Sequence, residues 1–168
     1  VKDRTADFRA LASAARIDDV NSPEAVVFAL YDAISGPAGE ERDWDRIRSL
    51  FDPAARLLIG RWLSASDTRR SVVYEWDVDA FIQEGREYWL PDGFWERQLA
   101  ARTEVFGKIA HVFSAYESRM GSEASPPIGR GVNSVQLLQH AERWWIVSLV
   151  WDVETPGHTV PTDLRFED

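Results

Sequence analysis

His111 and Glu104 are the two side chains in this sequence whose spacing suggests proton transfer. Histidine alone titrates near neutrality without help from its surroundings, and a carboxylate opposite it orients the ring and raises its basicity. From Phe94 onward apolar residues recur at every second position, and Gly107-Lys108 reads as a tight hairpin turn. With Phe106 facing Ile109, Glu104 falls opposite His111 and Arg102 opposite Phe113, with Glu117 farther along the same face. Ala110, Val112, Ser114 and Tyr116 take the other side. The same pairing also describes an ordinary cross-strand ion pair, worth at most ~1 kcal/mol when exposed. The spacing leaves both roles open. Asn133 and Gln136 are the next candidates, because an amide in an apolar strand must find hydrogen-bond partners. Alternation puts them on opposite faces, so only one of the two can enter a cavity.

Other chemistries are closed by composition. The chain has no cysteine, which excludes disulfides, thiolate nucleophiles and cysteine-based zinc sites. His111, His140 and His158 have no metal-ligand spacing, and no phosphate loop, nucleophile elbow or Gly-x-Gly-x-x-Gly turn occurs, so nothing calls for a metal or a cofactor. A formal net charge of −9 repels polyanions, which makes nucleic acid and anionic membrane surfaces poor partners. No apolar run reaches the ~20 residues of a membrane span. The chain starts at Val1, and its compartment stays open: cytoplasmic, or exported had a leader preceded it.

The elements that must position these residues form an α+β chain. Residues 1–21 are an extension with helical spacing at Phe8, Leu11, Ala12 and Ala15, broken from Asp18 to Asn21. Ser22-Pro23-Glu24 starts a helix with Val26, Val27, Leu30, Tyr31 and Ile34 on one side. A second helix carries Trp44, Ile47, Leu50 and Phe51 until Asp52-Pro53 stops it. Arg56 to Leu63 and Ser71 to Trp76 read as strands joined by the turn Ser64 to Arg70, and Asp77 caps a helix that ends at Pro91-Asp92-Gly93. The hairpin follows, then Val132 to Gln139, a tight turn at Ala141-Glu142, and Trp144 to Glu154. In that last strand Trp145, Val147, Leu149 and Trp151 alternate with Trp144, Ile146, Ser148 and Val150, so both faces look too apolar for water. Helices would cover one face, and a second copy of the chain is the economical cover for the other. Residues 156–168 read as an extended tail.

This order of elements resembles the nuclear transport factor 2-like superfamily, in particular its SnoaL-like and ketosteroid isomerase-like branch, over residues 22–155. The segments Phe106-Gly107-Lys108-Ile109-Ala110-His111-Val112-Phe113-Ser114, Gly131-Val132-Asn133-Ser134-Val135-Gln136-Leu137 and Arg143-Trp144-Trp145-Ile146-Val147-Ser148 look like an uncharacterised bacterial group within it. The resemblance implies a cone: a cystatin-like α+β barrel whose curved antiparallel sheet wraps N-terminal helices around an apolar cavity, often dimeric through the sheet's outer face. It also implies an isomerase base near Ile59, where Leu57, Leu58 and Gly60 offer no carboxylate, and an oxyanion site near Tyr31 and Asn133-Ser134.

Two functions remain. One is a pocket protein binding a small, largely apolar molecule, with Tyr31, Trp62, Trp76, Phe113, Glu117 and Asn133 as pocket residues. The other is a cofactor-independent isomerase, cyclase or dehydratase with His111 as general acid or base and Glu104 orienting it.

Overall fold

Three helices in the chain start on side-chain caps, two ahead of the sheet and one between its second and third strands. The structure, a computed structural model, describes residues 3–5, 8, 15–62 and 71–164. Its elements are α1 (Ile17–Val20), α2 (Pro23–Ile34), α3 (Trp44–Leu50), β1 (Phe51–Trp62), β2 (Ser71–Trp76), α4 (Val78–Tyr88), β3 (Phe94–Phe106), β4 (Ile109–Met120), β5 (Gly129–His140) and β6 (Arg143–Val153), followed by a short 3-10 turn, Thr162–Leu164. The Ser22 hydroxyl accepts from Ala25 N at 3.1 Å, and the carboxylates of Asp43 and Asp77 accept from Arg46 N and Ala80 N at 2.9 Å each. Each satisfies one of the amides that a helix start leaves without a partner. The turn expected at Ser64 to Arg70, Leu63 before it, and Leu11 and Ala12 lie outside the described residues.

The strands make one curved, unclosed six-stranded sheet in the order β2-β1-β6-β5-β4-β3, all neighbours antiparallel except β1 and β6. The hairpin register is the expected one: Phe106 faces Ile109, Glu104 faces His111 and Arg102 faces Phe113. Ala141 and Glu142 both take positive φ, at 52° and 62°, which is the backbone of a two-residue turn whose twist matches the strands it joins. Inside the curve, Val112, Val135, Leu137, Ile146 and Leu149 bury against Val26, Val27, Leu30 and Ile34 of α2 and Ile47 and Leu50 of α3.

Three expectations need correction. Residues 17–20 form a helical turn rather than a break. β1 begins at Phe51, five residues early, because the chain passes Asp52-Pro53 as an irregularity between the Phe51–Ile146 and Arg56–Ser148 pairs, where proline's missing N–H costs no ladder bond. The alternation of β6 is broken by a bulge. Leu137 pairs with Ile146 and Gln136 with Ser148, so Val147 is the extra residue. Trp144 and Ile146 therefore share the inner core with Leu149 and Trp151, and the outer face of this strand holds Trp145, Ser148 and Val150. That outer face is less apolar than a strict period of two implies. Part of it is covered by the chain itself: Val160 and Leu164 of the C-terminal segment pack on Ala115, beside Leu99, Phe113 and Val132. Phe8 meets the ring of Trp145 edge-on at 5.1 Å.

Candidate functional site

Between the helices and the inner sheet face lies a cavity of about 510 Å³. Its wall is mostly apolar, and it is dominated by rings. Trp76 and Trp151 stack at 5.5 Å, Tyr74 extends that stack at 6.1 Å, and Trp89 stacks on Phe94 at 5.1 Å. Gly85 makes the last contact possible, since the Trp89 ring lies where a Cβ on residue 85 would stand, 2.5 Å away.

Two carboxyls line this greasy space, Glu84 of α4 and Glu96 of β3. Glu96 lines the cavity, and its backbone is pinned at the end of α2: Glu96 N donates to Ser35 Oγ at 2.9 Å, and Gly36 and Phe94 exchange backbone bonds of 2.7 and 3.0 Å. Glu96 Oε1 accepts from Asn133 Nδ2 at 3.4 Å, a long bond that returns little of what the charged form loses on leaving water. Burial therefore pushes the Glu96 carboxyl up to about 8, and the Asn133 bond offsets only part of that rise. At neutral pH the group is mainly protonated. Its hydroxyl is then a donor inside an apolar chamber.

Behind Glu96 runs a directed chain of hydrogen bonds. Asn133 Nδ2 donates to the Tyr31 hydroxyl at 3.0 Å, Tyr31 and Ser114 Oγ are 2.8 Å apart, and Ser114 Oγ donates to Gln98 Oε1 at 3.0 Å. Because Ser114 gives its proton to Gln98, it must accept from Tyr31. Burial first, and the nearby Glu96 second, raise the Tyr31 phenol well above its ordinary value, so it stays protonated. Tyr116 is raised for the same two reasons.

The sequence-derived candidates divide between the two faces. Asn133 and Trp76 line the cavity, and Tyr31 stands directly behind Asn133. His111, Phe113 and Glu117 do not line it; their strand positions put them on the outer face. His111 Nε2 lies 2.9 Å from Ser134 Oγ, and Glu104 is exposed with Arg102 at 4.0 Å, so the pair has no chamber to work in. Glu117 is buried on that outer side under three arginines: Arg97 at 2.8 Å, Arg130 at 3.4 Å and Arg119. Burial raises its carboxyl, but the bonds from Arg119 and Arg97 outweigh that and hold it below the usual range. It is an ionised structural anchor. Trp62 lies in β1, and its side chain falls outside the described residues. Ile59 lines the cavity where the resemblance puts a base, and the carboxyl comes from the opposite wall instead.

Glu96 escapes sequence reading because of a second bulge. Gln98 pairs with Tyr116 and Ala100 with Ala115, which makes Leu99 the extra residue. Counting by twos back from Phe106 sends residue 96 outward; the bulge turns it inward with Phe94 and Gln98. Counting forward from Phe94, an apolar residue just past a helix end, is the signal that finds it.

No family model matches the chain, and no curated protein matches its sequence. Solved structures do. An NTF2-like protein of unknown function from Shewanella baltica superposes with a TM-score of 0.53 at 12% identity, covering 92% of this chain and 99% of that one. A protein of unknown function with a cystatin-like fold from Nostoc punctiforme gives 0.56 at 8% identity over 79% and 93%. A candidate ketosteroid isomerase from Parabacteroides distasonis gives 0.51 at 14% identity over 81% and 90%.

Proposed function

We propose that this chain, whose fold is that of the NTF2-like, cystatin-like proteins, binds a small, largely apolar molecule in its cavity and holds one polar atom of it against Glu96 and Asn133. The observation that supports this is the Glu96 carboxyl facing a ring-lined space, where burial favours its neutral form. A neutral acid donates to a carbonyl or hydroxyl oxygen without bringing an unpaired charge into the chamber. The stacked indoles suit a flat body. Because Trp76, Trp89 and Trp151 form the wall, binding of a planar ketone such as 2-acetylnaphthalene should quench tryptophan fluorescence. Glu96→Ala should weaken binding about tenfold, the scale of one hydrogen bond to a buried donor. Unchanged affinity in that variant would remove Glu96 from the site.

A second reading has its own support. A carboxyl near 8 gains and loses its proton at working pH, as a general acid or base must, so the cofactor-independent enzyme reading now runs through Glu96 rather than His111. Its test is loss of deuterium from the labelled methyl group of the same ketone. Exchange that rises with pH and vanishes in Glu96→Gln supports proton transfer; no exchange above buffer leaves binding alone.

The homodimer also belongs here. Phe106, Ile109 and Val150 remain exposed on the outer face after the C-terminal segment has taken its share, and pairing with a second copy would remove them from water.

A further inference from the structure

Among the described residues of this acidic chain, the arginines are almost all engaged. Arg4, Arg16, Arg46, Arg48, Arg56 and Arg102 each meet a carboxylate, and Glu117 holds three more. Arg42 is bound by backbone carbonyls, Arg86 lies over the Trp44 ring, and Arg143 combines a carbonyl with the Trp145 ring. Arg61 differs. Among the described residues it makes no hydrogen bond, ion pair or ring contact. It follows Leu57 and Ile59 on the inward side of β1, and it lines the cavity while remaining exposed to solvent. The chamber's charge is felt inside: burial pushes the Tyr116 phenol up first, Glu96 adds to the rise, and Arg61 draws it slightly down.

A lone guanidinium on the rim of an apolar chamber presents paired N–H donors in the geometry of a carboxylate. Besides Glu96, the cavity is lined by the charged Glu84 of α4, and no ion pair joins it to Arg61 among the described residues. One cation neutralises one negative charge, and Glu84 opposes a second. Given the cavity as a ligand site, as proposed above, we infer that its ligand is an apolar monocarboxylate, its body among the indoles and its carboxylate on Arg61.

The pair 2-naphthoate and 2-naphthamide differs only in that charge. Calorimetric titration at pH 7.4 should show wild-type protein binding the acid at least tenfold tighter than the amide. Arg61→Gln should bring the two affinities together by weakening the acid, and Glu84→Gln should widen the preference. Near-ultraviolet circular dichroism checks that each variant is folded, as an exposed position leads one to expect. Equal binding of acid and amide by wild type, or a preference that survives Arg61→Gln, overturns the role of Arg61 and leaves the cavity reading standing. A narrower preference in Glu84→Gln, or tighter binding of 2-naphthyl phosphate than of 2-naphthoate, overturns the single-charge recognition. Failure of both the acid and the amide to bind sinks the ligand site together with this inference.

Discussion

Replacing Glu96 by glutamine should change how stability depends on pH, because a buried carboxyl without a cationic partner contributes in the direction opposite to an ion-paired one. The folded-state value of about 8 lies above the ordinary 4.5, so between those limits the unfolded chain has released a proton that the native chain still holds. Unfolding is then favoured by rising pH, at about 1.4 kcal/mol per unit across that interval. The contribution is intact below about 4.5 and is lost as pH climbs through 8. The amide of Glu96→Gln keeps the shape and a donor but never ionises. The variant should therefore gain on wild type steadily from pH 5 to pH 8, to a total of about 3 kcal/mol once cavity solvent screens part of the full value. Urea melts of both proteins at pH 5.0, 6.5 and 8.0 measure the difference directly. A difference that does not vary with pH would mean that Glu96 ionises normally, and the neutral-acid account of the cavity would fail.

Three other changes probe the frame around the site. A Cβ on residue 131 would stand 2.2 Å from the Asp152 carbonyl oxygen and 2.6 Å from the Tyr116 hydroxyl, so Gly131→Ala should cost roughly 3 kcal/mol in denaturant melts and displace a ring that lines the cavity. Leu164→Ala should cost about 2–3 kcal/mol, because Leu164 is 1% exposed in the small outer cluster, and its melt should show the loss without a change in slope. Phe106→Glu should convert a dimer to a monomer in light scattering at several concentrations, Phe106 being 83% exposed and at the hairpin tip; a wild type that is monomeric throughout would contradict the outer-face dimer.

Much of the frame is legible in the chain because local chemistry and tertiary need agree there. Ser22-Pro23 and Asp77 are helix starts on any reading, Gly107-Lys108 fixes a register in which Glu104 must meet His111, and Ala141-Glu142 can only be a turn between two strands. The faces are less legible, since period two holds only until a residue is inserted. At Val147 an insertion gathers Trp144, Ile146, Leu149 and Trp151 onto one side, dissolving most of the two-sided apolarity of the last strand. At Leu99 another turns Glu96 into the cavity while leaving Glu104 outside. His111, the obvious titratable residue, is attractive by type alone. The structure gives the chamber a glutamate whose unusual acidity comes from surroundings contributed by α2, β4 and β5, which no local pattern encodes. The covering of Ala115 by Leu164 joins positions far apart in sequence and is equally invisible to periodicity.

The most direct test of the ligand chamber is native mass spectrometry of protein purified gently from cells, with Ser118→Trp as the comparison, since Ser118 lines the cavity and an indole there would fill it. Wild type should carry a small apolar adduct that organic solvent extracts, and the folded variant should carry none. A wild type without adduct that also binds no naphthalene probe, or an adduct retained equally by Ser118→Trp, would contradict the account.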